Sequence, residues 1–201
     1  MIETASDRLS DIRQVYAQHL TRSRAITPHL PRLLALAASC ETAVEFGVKT
    51  GASSSALLLG AKGRVTSYDL VETPPARALA RIAGEKWAYC LEDSRTAAVP
   101  PADLLFVDAL HTYDQVAAEL SAHAAKIRRW LVFHDSITFG SIGAQGETGQ
   151  WLWNYTPGQA VPRAALGIRP AIDELMIGDP SWQIRAHYTD SHGLLVLERA
   201  R

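Results

Sequence analysis

The sequence predicts an α/β fold: a mostly parallel sheet with helices on both faces, ending in an antiparallel hairpin. Three observations carry this. From residue 42 onward, apolar runs alternate with helical patterns at the spacing of βα units. The first of those runs passes directly into a glycine-containing loop and then a helix, "VEFGVKTGASSSALLLGA" at 44–61. The last two strand-like runs are joined by the short polar turn "DSHG", which predicts a hairpin.

The elements follow in chain order. Residues 1–39 read as helical: "ASDRLSDIRQVYAQHL" aligns Leu9, Ile12, Val15, Tyr16 and Leu20 along one face, and a second short helix begins near Pro31. Neither carries a chemical motif, so both are assigned to covering the sheet. Five strands are predicted over "TAVEF" (42–46), "RVTSYDL" (64–70), "WAYCLE" (87–92), "ADLLFVDA" (102–109) and "RRWLVFHD" (128–135). Between the last two lies a well-marked helix, in which Thr112 and Gln115 have capping-box spacing and Tyr113, Val116, Leu120 and Ile127 form the face toward the sheet. After residue 135, five glycines and two prolines erase any periodicity before a helix over 170–178. That long loop, 136–165, is expected to bind or cover substrate. Strands at 182–189 and 194–199 complete the pattern. The whole is expected to be a single domain over 1–201. Its parts are N-terminal helices (1–39), a ligand-binding core (40–135), the loop (136–165), and a helix with the hairpin (166–201).

Composition narrows the function classes. A chain of 201 residues supports one sizeable core and is short for two. Twenty basic against 21 acidic residues leave a net charge of −1, so no bulk field draws the protein to nucleic acid or an anionic membrane. No apolar run has the length of a membrane span and the start of the chain is polar, so a soluble cytoplasmic protein is the expectation. The expected partner is a small-molecule substrate; self-association stays open. Cys40 and Cys90 are too few for a disulfide scaffold or a thiolate metal site. If their strands stand two spacings apart, roughly 9.6 Å, they also exceed the ~7 Å reach of a disulfide, so both are expected to be reduced, buried and inert.

In an open parallel sheet, ligands bind beyond the carboxyl ends of the strands. Every one of the five strands ends there in an ionisable group: Glu45, Asp69, Glu92 with Asp93, Asp108, and His134 with Asp135. The first loop has the form E-x-G-x-x-x-G through Glu45, Gly47 and Gly51, and its glycines let backbone approach a ligand closely. The loop is not G-x-G-x-x-G, so the pyrophosphate turn of a dinucleotide site is missing. Asp69 follows Gly51 by 18 residues, placed to accept hydrogen bonds from a ribose. A ribose-bearing cofactor without a pyrophosphate fits this set best.

Over about residues 40–199 the chain resembles class I S-adenosylmethionine-dependent methyltransferases. That resemblance implies a Rossmann-like seven-stranded sheet, in the order 3-2-1-4-5-7-6 with the last strand antiparallel. It also implies a cofactor site of Glu45, Gly47, Gly51 and Ser53 for the amino-acid part, Asp69 for the ribose and Asp93 for the adenine. "LLFVDALHTYDQVAAEL" and "WLVFHDS" resemble, more narrowly, cephalosporin hydroxylase-like and macrocin O-methyltransferase-like proteins, of the methyltransferase family 24 type. In metal-dependent members, the strand-four acid and the pair after strand five hold a divalent cation, which maps to Asp108, His134 and Asp135. The chain departs from the pattern at His134, where an acid is usual. All-oxygen sites suit Mg²⁺, whereas an imidazole favours Mn²⁺, Fe²⁺ or Zn²⁺.

Methyl transfer to a hydroxyl needs an oxygen held near the methyl and a group to take its proton. A cation, Mg²⁺ or Mn²⁺, could lower the hydroxyl pKa. Asp108, His111 and His134 are the candidate catalytic residues, with His111 preferred as general base and His134 the alternative. Trp151 and Trp153, and with them Tyr155, could stack on substrate or anchor the loop. His19, His29 and His123 are expected at the surface, while His187 and His192 beside the final turn are expected to be structural. The expected activity is O-methylation of a sugar or natural-product hydroxyl. A metal-independent or nitrogen-directed transferase, or a non-catalytic cofactor-binding module, are the alternatives.

Overall fold

The computed structural model describes residues 5–144 and 161–200. Its strands are β1 (Ala43–Phe46), β2 (Val65–Asp69), β3 (Trp87–Leu91), β4 (Ala102–Val107), β5 (Ile127–His134), β6 (Trp182–Tyr188) and β7 (Leu194–Arg199). They form one seven-stranded sheet in the order β3-β2-β1-β4-β5-β7-β6. The first five strands pair in parallel, and β7 runs antiparallel to both β5 and β6. This is the expected order, reversed strand included.

Side-chain alternation divides the core into two layers. Along β4, Leu104 and Phe106 face one layer while Leu105 and Val107 face the other; along β5, Trp130 and Val132 oppose Leu131 and Phe133. Strands covered on both faces need apolar residues at nearly every position, which is why the β4 and β5 sequences read as continuous hydrophobic runs. Burying each of these larger side chains contributes about 1.5–3 kcal/mol. Four helices cover the first layer: α1 (Ala5–Leu20), α2 (Leu30–Ala37), α3 (Ala52–Gly60) and α4 (Pro74–Ala83). Here α1 packs on α3 and α4, and α2 packs on α3. Helices α5 (Tyr113–His123) and α6 (Ile168–Gly178) pack together over the second layer. Among the described residues, no helix is long and apolar enough to cross a membrane.

Several local expectations are corrected. The Thr112 hydroxyl caps α5 by accepting the Gln115 amide N–H at 3.4 Å, but the Gln115 side chain does not reach back to complete a capping box. It donates instead to Ser94 Oγ and to Glu119. Ile127 is buried but opens β5 instead of extending the α5 face. Cys40 is a buried free thiol and Cys90 a half-buried one. His19, His29 and His123 are not surface residues: all three are buried. Helical spacing shows which residues share a stripe, not which stripe another element will cover.

Strand order reverses between β1 and β4, the position at which an open α/β sheet leaves a crevice at its carboxyl edge. The Asp108 N–H donates to Phe46 O at 2.8 Å, bringing the ends of the two strands into register there.

Candidate active site

The loop after β1 is built around two glycines in the left-handed region, Gly47 (φ 86°) and Gly51 (φ 76°). A Cβ on Gly47 would lie 2.2 Å from the Asp108 carbonyl oxygen, so only glycine lets the loop pass the end of β4 this closely. Gly51 is the N-cap of α3. Asp69 then ties the loop to β2: its Oδ2 accepts the Val48 and Lys49 amides at 2.8 and 3.0 Å, and its Oδ1 accepts the Val71 amide.

Glu45 stands behind the loop, with no exposed surface. Alternation along β1 places it with Ala43 beneath α3, where Ser53 Oγ, Ser54 Oγ and Ser67 Oγ donate to it at 2.5–2.6 Å. Ser67 in turn accepts the Trp87 indole N–H at 2.8 Å. Burial pushes Glu45 up to about 7, against the pull of its three hydroxyl donors. The structure therefore gives Glu45 a part in holding the β1–α3 junction, one layer behind the ligand space, while Ser53, which donates to it, also lines that space.

In front of that junction opens a cavity of about 1380 Å³. It is lined by Gly47, Asp69 and Asp93 together with Asp108, His111, His134 and Asp135. Asp93 pairs with Arg95 at 2.6 Å, and the Arg95 side chain and backbone bonds hold its carboxyl below the usual range. Beneath the Asp93 turn, the buried Glu119 accepts Ser94 Oγ at 2.5 Å and Gln115 Nε2 at 2.8 Å, while His123 donates to the Ser94 carbonyl at 2.7 Å.

In its wall four predicted residues converge: Asp108, His111, His134 and Asp135 each offer a ligand atom within 4.8 Å of the others. His111 Nε2 and His134 Nδ1 both lie 3.1 Å from the same oxygen, Asp108 Oδ1. His111 Nε2 is also 3.3 Å from Asp135 Oδ2, and His134 Nδ1 is 3.4 Å from Asp135 Oδ1. Burial would raise Asp108, yet His134 and His111 hold it at about 2. For His134 burial pulls the other way, and Asp108 with Asp135 raises it above the ordinary histidine value. Burial raises Asp135 despite the two imidazoles. Asp135 Oδ1 is buried without a hydrogen-bond partner. A compact donor set with an unused buried acceptor fits a divalent cation held by Asp108, His134 and Asp135.

The surroundings add residues that sequence reasoning missed or placed elsewhere. Phe139 stacks on His111 with ring centroids 5.1 Å apart. The buried His29 meets the His134 ring edge-on at 5.5 Å and bonds to the carbonyls of Asp190 and Ser191. His192 Nδ1 comes within 3.5 Å of Asp135 Oδ1, and the His192 carbonyl accepts the amides of Ile137 and Thr138. Arg24, from the connection between α1 and α2, reaches the cavity wall and donates to Thr50. Only Phe139 had a sequence signal, as an aromatic just past the β5 acid. The others arrive through tertiary contacts between distant segments. Trp151, Trp153 and Tyr155 lie outside the described residues.

This arrangement is that of a class I methyltransferase fold. Residues 44–136, from β1 through the residue after Asp135, match the family model described as a methyltransferase domain, of the family 24 type expected from the sequence. No curated protein matches the chain. Among solved structures, it is similar to the O-methyltransferase from Bacillus cereus in complex with S-adenosylhomocysteine. That match has 19% identity and a TM-score of 0.62, covering 99% of this chain and 93% of that one. It is also similar to the O-methyltransferase TomG from Streptomyces achromogenes, involved in tomaymycin synthesis and solved with S-adenosylmethionine, at 16% identity and TM-score 0.63, covering 100% and 93%. A third similar structure is the 1,6-didemethyltoxoflavin-N1-methyltransferase from Burkholderia thailandensis, at 17% identity and TM-score 0.62, covering 96% and 87%. Residues 44–136 thus match a methyltransferase-domain model, and the fold as a whole is shared with these structures.

Proposed function

We propose that the protein is an S-adenosylmethionine-dependent O-methyltransferase acting on a hydroxyl of a small molecule, a sugar or natural product, with a divalent cation at the reacting end. One observation carries the reading: a single cavity joins the glycine loop and Asp69 to the cluster of Asp108, His111, His134 and Asp135. The bound cofactor would supply a methyl group on a sulfonium, and the cation would make a nearby hydroxyl more acidic.

This chain's residues supply the rest. Gly47 leaves room for the cofactor's amino-acid part, Asp69 receives the ribose hydroxyls on a carboxylate already fixed by three amides, and Asp93 faces the adenine. His111, on the cavity wall and bonded to Asp108, takes the hydroxyl proton; Asp108 orients the ring and stabilises the imidazolium that forms. Phe139 holds the plane of that ring. We read the chain as one domain spanning 1–201. A base and a cation beside the acceptor favour oxygen over nitrogen, because a hydroxyl must lose its proton to react while an amine can attack by its lone pair.

The test is transfer of a labelled methyl from S-adenosylmethionine to a panel of hydroxylated sugars and aromatic natural products, repeated after chelator treatment. Label in an oxygen-linked product, lost with chelator and restored by divalent ion, supports the reading. Transfer insensitive to chelator removes the cation from it, and label on nitrogen replaces the acceptor.

A further inference from the structure

The two imidazoles of the cluster are not equivalent. His134 is buried to 3% exposure at the end of β5, with Nδ1 turned toward Asp108 and Asp135 and its ring edge-on to the buried His29. Both line the cavity, but His111, where α5 begins, is the more exposed: its side chain keeps 15% of its surface against 4% for His134, it stacks on Phe139, and its Nε2 lies between the same two acids. A nitrogen that faces only two carboxylates, on a ring enclosed by protein, is placed as a ligand. On the more exposed ring, Nδ1, the nitrogen that does not face the acids, is placed to exchange a proton with what enters.

We propose that His134 makes this a mixed nitrogen and oxygen centre that selects a first-row transition ion of the Mn²⁺, Fe²⁺ or Co²⁺ class over Mg²⁺, and that leaves proton transfer to His111. The inference rests on the proposed reading of the cluster as a cation site. Mg²⁺ demands a near-ideal octahedron of oxygens and gives up its water reluctantly, so exchanging one carboxylate oxygen for an imidazole nitrogen weakens it. Transition ions gain from the same exchange. The donor separations of 3.1 Å from His134 Nδ1 to Asp108 Oδ1 and 3.4 Å to Asp135 Oδ1 are those of neighbouring ligands around one small ion. Asp135 Oδ1, buried and without a hydrogen bond, is an acceptor that a cation would satisfy.

The test is calorimetric titration of chelator-treated full-length protein with CoCl₂ and with MgCl₂, for wild type, His134→Glu and His111→Gln. All-carboxylate sites also bind Co²⁺ more tightly than Mg²⁺, so the diagnostic is the change in that ratio. The expectation is a wild-type ratio that falls by about ten-fold or more in His134→Glu and moves by less than about three-fold in His111→Gln. Paramagnetic NMR of the wild type with Co²⁺ reads the ligand without a variant: hyperfine-shifted ring protons from a single histidine are expected. An unchanged ratio in a folded His134→Glu protein, equal shifts of the ratio in both variants, or no shifted histidine signal overturns the proposal. A parallel titration with S-adenosylmethionine separates the two claims. Cofactor binding without any divalent-ion binding overturns this inference and leaves the methyltransferase reading standing.

Discussion

At Asp108 two imidazole nitrogens meet one carboxylate oxygen, each at 3.1 Å, and the reacting end of the cavity is organised around that meeting. Removing the carboxylate leaves the His111 ring without its orienting partner and takes one donor from the cation set. Asp108→Ala is therefore expected to lower turnover by about 10³-fold or more. It should leave S-adenosylmethionine affinity within about two-fold, because it removes an interaction needed only for the chemistry. Labelled-methyl transfer and calorimetry read the two effects separately. Gly47 makes the opposite kind of demand, for space. With φ 86° and a hypothetical Cβ 2.2 Å from the Asp108 carbonyl oxygen, Gly47→Ala must push the loop away from β4. A loss of about 1–3 kcal/mol in stability is expected from the backbone conformation alone, read by denaturant unfolding, with weakened cofactor binding alongside it.

The β1–α3 loop is held from two sides. Asp69 grips the amides of Val48 and Lys49 from β2, and the Glu45 carboxyl gathers the hydroxyls of Ser53 and Ser54 from the first turn of α3. Asp69 thus has two duties, ribose recognition and loop shape, and Asp69→Ala should show both. Cofactor affinity is expected to fall by about ten-fold or more, since a lost charged acceptor costs about 1.5–3 kcal/mol. Hydrogen exchange at the Val48 and Lys49 amides should quicken even without cofactor. Exchange that stays unchanged would confine Asp69 to ligand contact. The turn after β3 is held by α5 in the same manner, through Glu119, Gln115 and His123.

Across the whole molecule, buried ionisable groups set the response to pH. Burial raises Glu119 to about 7, against the bonds from Ser94 and Gln115. A carboxyl whose folded value lies above its unfolded one contributes stability that is fully present below the unfolded value of about 4.3 and is lost as pH rises through 7. Glu119→Gln, which cannot ionise, should therefore gain stability relative to wild type as pH goes from 5 to 8, measured as a widening difference in melting temperature. A constant difference over that range would mean that Glu119 is not titrating there. Such groups also mark where sequence reading ended. Strand ends, glycine spacing and the acids beyond them could be read directly, because they lie in local patterns of period two and in loops of fixed form. Glu45 was visible as a loop residue, but its inward role depends on α3 and β2 folding over it. His29, His123 and Glu119 were read from helical stripes or passed over, because what buries them comes from the hairpin turn and the segment after β3.

The account turns on the ligand for which the cavity is shaped. Calorimetric titration of the purified protein with S-adenosylmethionine and with NAD, each with and without a divalent ion, tests it most directly. One-to-one binding of S-adenosylmethionine with no heat from NAD is predicted, since the loop from Gly47 to Gly51 lacks a pyrophosphate turn. Binding of NAD, or no binding of S-adenosylmethionine under any of these conditions, would contradict it.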